Sequence, residues 1–156
     1  MKTIIKFTVI SLVMAAMFIS CDKKDSGDTT KPVINLIEPE EGDVLLIGSD
    51  VHFEMELSDD EMLHSYKVEI HNNFDGHSHE TKADSEDTVD FSFDRSWDVS
   101  GKKNADIHHH EIIIPENATP GDYHLTVFCT DAAGNESHVV INIELSHEGE
   151  AHDHDE

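Results

Sequence analysis

From Pro32 onward the chain alternates apolar and polar residues with a period of two. Val51, Phe53, Met55 and Leu57 alternate with His52, Glu54 and Glu56, which predicts a half-buried strand. Tyr66, Val68 and Ile70 alternate with Lys67, Glu69 and His71 to predict another, and Val89, Phe91 and Phe93 a third. A short first strand runs from Val33 to Ile37 and is ended by Pro39 and Gly42. Ile107 to Ile114 reads as a strand stopped by Pro115, and two more follow at Tyr123 to Thr130 and His138 to Leu145. Asp131-Ala132-Ala133-Gly134-Asn135 joins those two as a turn, with Gly134 and Asn135 suited to positive φ. No segment holds a helical period. Roughly seven short strands separated by turn signals predict an all-β, immunoglobulin-like antiparallel sandwich over residues 32–146.

Three residues fit that frame. Pro120-Gly121-Asp122-Tyr123 resembles the tyrosine corner that enters the penultimate strand of such sandwiches. Trp97 is expected to anchor the gap between sheets or an edge, not to hold a ligand. Cys129 keeps step with Tyr123, Leu125 and Val127, so it is expected to be a small buried residue and not a reactive thiol.

The ends of the chain have another character. Lys2 and Lys6 precede an apolar run from Phe7 to Ile19, the build of a secretory signal and shorter than the roughly 20 residues a membrane span needs. Phe18-Ile19-Ser20-Cys21 resembles a bacterial lipobox, so residues 1–20 read as a lipoprotein signal peptide and Cys21 as the lipidated residue. Residues 21–31 then form a polar, disordered tether. Asp22-Lys23-Lys24-Asp25 resembles the signals that send Bacteroidota lipoproteins to the outer face of the outer membrane. Residues 147–156 form an acidic, histidine-bearing tail expected to be disordered. With Cys21 committed to lipid, Cys129 has no partner for an intramolecular disulfide.

The formal charge is −24. Without residues 1–20, Lys+Arg falls from 10 to 8 against 34 Asp+Glu, which gives −26. That excess repels nucleic acid and anionic headgroups and attracts cations. The expected partners are a divalent metal, the membrane reached through the lipid, and an outer-membrane transporter or surface partner.

The cation-binding chemistry is concentrated in 13 histidines, many of them clustered. Imidazole suits zinc, copper and nickel, and carboxylates supplement it. Asp75, His77 and His79 are spaced two apart, as are His108 and His110, so each set points to one side of an extended chain. In an immunoglobulin-like sheet the Tyr66–His71 strand lies antiparallel to the Tyr123–Thr130 strand. His71 and His124 are therefore expected side by side on the solvent face, with the loop of Asp75, His77 and His79 leaving from the same end. His108 and His110 are expected at the opposite end, as a second site or as none. His52, His64 and His138 read as surface or structural residues. Calcium ranks third, after zinc and copper, with Asp59-Asp60-Glu61 and Asp131 as its oxygen donors.

No GxSxG, HExxH, Walker or GxGxxG pattern occurs, so no catalytic residue is assigned and the chain reads as non-enzymatic. The segment from His71 to His79, together with Pro120 to His124 and Asp131 to Asn135, resembles a family of small Bacteroidota lipoproteins. Its members carry an immunoglobulin-like domain of unknown function and a histidine-rich loop. The resemblance covers about Lys31 to Leu145 and implies lipoprotein topology and a sandwich, but no activity. The expectation is a lipid-anchored outer-membrane module that captures or delivers a zinc-like ion. The rival is a surface adhesion module for a protein or glycan.

Overall fold

A computed structural model of the protein describes residues 27–73 and 88–148, and within them it is all β. Eight strands form two sheets: β1 (Val33–Glu38), β2 (Val44–Leu46), β3 (Asp50–Ser58), β4 (Leu63–Asn72), β5 (Phe93–Asp98), β6 (Asn104–Ile113), β7 (Gly121–Asp131) and β8 (Glu136–Ser146). One sheet has the order β1-β3-β6, the other β2-β8-β7-β4-β5. The immunoglobulin-like sandwich is therefore as expected, with one strand more than the alternation predicted. The addition is β2, three residues long and too short to show a period. It pairs in parallel with β8, Val44 opposite Glu144.

The core is built from the inward positions of both sheets. Phe53, Met55 and Leu57 of β3 face Val68 and Ile70 of β4 and Leu125 and Val127 of β7, all at most 1% exposed. Burying each such side chain contributes about 1.5–3 kcal/mol. Tyr123 is the expected corner: its hydroxyl donates to the Thr119 carbonyl at 2.9 Å and accepts from the Phe91 amide at 3.2 Å. Cys129 is fully buried, and burial pushes its thiol up to about 11, with Asp59 and Asp131 adding to the shift. Trp97 stacks on Tyr66 with ring centroids 4.8 Å apart and donates to Glu111 at 3.2 Å, so it is the edge anchor the sequence suggested.

Two local expectations change. The strand expected at Val89, Phe91 and Phe93 starts only at Phe93. The Phe91 amide goes to the Tyr123 hydroxyl instead of a ladder, and Val89 makes an isolated bridge to Ala118. In the β7–β8 turn only Gly134 has positive φ, at 95°. Asn135 works through its side chain, donating to Asp131 at 2.6 Å and to the Asp28 carbonyl at 3.3 Å. That contact, and a Thr30 hydroxyl bond to Asp60 at 3.1 Å, sets residues 28 and 30 of the tether against the domain. Residues 1–26, including Cys21 and the signal peptide, lie outside the described residues, as do 74–87 and 149–156.

Candidate metal centre

The outward face of the three-stranded sheet carries the densest histidine group. β3 presents its even positions to solvent, among them Asp50, His52, Glu54 and Glu56. β6 runs antiparallel beside it, with Glu54 opposite His108 and Phe53 opposite His109. Two residues further along β3, Val51 pairs with Ile112, three residues beyond His109. The extra residue is a β-bulge at His110–Glu111. Ala105, Ile107 and His109 face inward before it, and Ile112 after it. The bulge re-aims the strand locally, as bulges do. His110, two residues after His108, shares its outward face and lies at the bulge, across from His52.

The result is a convergence of three imidazoles. One ligand nitrogen from each of His52, His108 and His110 lies within 4.8 Å of the other two. Ring centroids are 4.8 Å apart for His52 and His108, 5.0 Å for His52 and His110, and 5.6 Å for His108 and His110. Carboxylates surround the group. Asp50 Oδ2 sits 2.7 Å from His110 Nδ1, so Nε2 would be the ligand atom of that ring. Glu38 and Glu54 lie 3.8 and 3.9 Å from the two ring nitrogens of His52. Imidazole nitrogens backed by carboxylates are the donor set that binds zinc and its neighbours in the transition series.

His109, between the two outward histidines, faces the interior. Its ring stacks between Phe53 and Trp97, at 5.0 and 4.9 Å. Burial holds its pKa below the ordinary imidazole value, so it stays neutral at physiological pH.

The five-stranded sheet carries the pair the sequence anticipated. His71 of β4 stands opposite His124 of β7 in register, and their rings meet edge to face at 5.5 Å. Asn142 follows on β8, where it donates its backbone and side-chain N–H to Glu41 at 2.9 and 2.7 Å. Those bonds hold the Glu41 carboxyl below its ordinary value, with a smaller contribution from His124. Asp75, His77 and His79, expected to join this pair, lie outside the described residues. His71 and His124 belong to one sheet and His108 and His110 to the other, so the two sets are separate.

His52 is the residue that sequence reasoning passed over. It is one of several polar positions on a half-buried strand, and nothing local says which strand lies beside it. The bulge leaves no trace in the sequence: Ile112, Ile113 and Ile114 are all apolar, so the run carries no phase to compare with that of Ile107. Among the described residues a second set of donors, the carboxylates of Asp28, Asp59 and Asp60, also converges within 4.8 Å. Asp131, offered as a calcium donor, is committed to its turn: it accepts from the amides of Gly134 and Asn135 at 2.6 and 2.8 Å.

A model of a domain of unknown function, DUF4625, matches residues 19–146, and the chain belongs to that family. No curated protein matches the chain.

Proposed function

We propose that this DUF4625 protein is a lipid-anchored, non-enzymatic metal-binding module that captures a zinc-like divalent ion and delivers it at the outer membrane. One observation carries the metal reading: the convergence of His52, His108 and His110, backed by Asp50, on an exposed sheet face. The donors are imidazole nitrogens without thiolate, because Cys129 is buried and its thiol is held protonated. Such a set favours zinc, copper or nickel over calcium or magnesium. A surplus of acid over base raises the local concentration of cations around it. The anchor reading rests on Cys21 at the end of its apolar run, and the outer-membrane address on Asp22-Lys23-Lys24-Asp25. His71 and His124 are a second capture point on the other sheet, Asp75, His77 and His79 follow β4 in the sequence as candidate further ligands, and an outer-membrane transporter is the recipient.

Calorimetric titration of the soluble chain from Asp22 onward with zinc, and separately with copper, tests the metal reading. A saturable, near-stoichiometric heat that disappears in His52→Ala is expected. Weak binding indifferent to that substitution would remove the metal reading and favour a surface protein or glycan as the partner.

A further inference from the structure

We infer that Glu54 joins His52, His108 and His110 as the fourth ligand, making a three-histidine, one-carboxylate shell around a divalent ion. This rests on the metal-binding reading above and adds what completes the shell and which ion it selects. The ladder supplies the placement. Glu54 pairs with His108 across β3 and β6, and with Glu38 across β1 and β3. Residues directly opposite in an antiparallel pair have Cβ atoms about 4.5–5.5 Å apart. His52 precedes Glu54 by two residues on β3 and shares its outward face. The His52 ring reaches both acids: Glu38 lies 3.8 Å from Nδ1 and Glu54 3.9 Å from Nε2.

Position selects Glu54 over Glu38. Glu54 has a histidine along its own strand and another directly across, whereas Glu38 is on β1, one strand further from His108 and His110. Charge points the same way. Glu38 and Glu54 are like charges directly opposite, which costs stability, and a cation held by Glu54 offsets that repulsion. The Glu54 side chain is exposed, so a rotamer change is enough to bring an oxygen beside the three nitrogens. Three imidazoles and one carboxylate give the four nitrogen and oxygen donors that suit zinc. Monovalent copper, which prefers sulfur donors, is disfavoured by that set.

The test uses the full chain in detergent, without an affinity tag. Zinc affinity is measured by competition with a chromophoric chelator, and coordination number by the visible bands of bound cobalt(II). Glu56 lies two residues beyond Glu54 and accepts from Asn35 at 3.1 Å, so Glu56→Gln removes an equal charge without touching the shell. The wild type is expected to show the intense bands of four-coordinate cobalt. Glu54→Gln should weaken those bands and lower zinc affinity by more than the ~10–100-fold that loss of an outer-sphere partner costs. Glu38→Gln and Glu56→Gln should lose less affinity and keep the wild-type bands. Far-UV circular dichroism checks that all three variants remain folded. Weak six-coordinate bands in the wild type, or unchanged bands in Glu54→Gln, overturn the fourth ligand. Equal losses in all three variants reduce Glu54 to its charge, and a larger loss in Glu38→Gln gives the role to Glu38; both overturn the inference. Each of these outcomes leaves metal binding intact, whereas a chain that takes up neither zinc nor cobalt overturns the metal reading itself.

Discussion

The two outward faces of the sandwich hold their histidines in different ways. On the five-stranded sheet, His71 and His124 are a regular cross-strand pair in an unbroken stretch of ladder. On the three-stranded sheet, His52, His108 and His110 converge across a bulge. A regular antiparallel ladder places one side chain directly opposite another and the next on the same face about 7 Å away or more. The five-stranded face has no further histidine at such a neighbouring position among the described residues, whereas His108 and His110, two apart on β6, both share the face of His52. The lesson is that ligand number on a sheet is set by how many donors occupy neighbouring positions of one face.

The sharpest way to break this contrast is to remove a ligand from the bulged face. His52→Ala is expected to abolish tight zinc binding, a larger loss than the ~10–100-fold that follows removal of an outer-sphere partner. Equilibrium zinc competition against a chromophoric chelator measures it. Asp50→Asn is the outer-sphere case. It leaves three imidazoles but weakens the partner of His110 Nδ1, and affinity should fall by about 10–100-fold in the same assay.

Acid separates the consecutive histidines by orientation. His109 has a pKa below the value near 6.5 of a free imidazole, because its ring is buried between Phe53 and Trp97. The unfolded chain therefore binds that proton more readily than the folded one. Stability from this group is complete above about pH 6.5 and falls as the pH drops toward the folded-state pKa. Thermal melts of the metal-free protein should show a declining midpoint from pH 7 to pH 5, and His109→Phe should reduce the slope.

Much of this was legible in the sequence, and what was not has a physical cause. The alternation in Val51–Leu57 and Tyr66–His71 fixed both the strands and their buried faces, because burial on one side of a sheet imposes a period of two. The contact between His71 and His124 followed from the order of strands in an immunoglobulin-like sheet. The role of His52 did not follow, because its partners come from β6, more than 50 residues away, through a register that a single bulge displaces. No periodicity argument reports the pairing of two distant strands. β2 was missed for a related reason: three residues cannot display alternation, and its parallel pairing with β8 is a tertiary fact.

Smaller effects sharpen the contrast from the other sheet. Tyr123→Phe deletes the corner hydroxyl, which leaves the Phe91 amide and the Thr119 carbonyl without it, and should cost about 1 kcal/mol in urea unfolding. Zinc affinity at the three-stranded sheet should not change. The smallest effect is expected from His71→Ala combined with His124→Ala, which should leave the tight site intact and remove only weaker binding from the titration.

The most direct test is anomalous diffraction at the zinc edge from crystals of the protein grown with one equivalent of zinc. A single strong peak between the imidazoles of His52, His108 and His110 is predicted. A peak between His71 and His124, with none on the three-stranded sheet, would contradict the account.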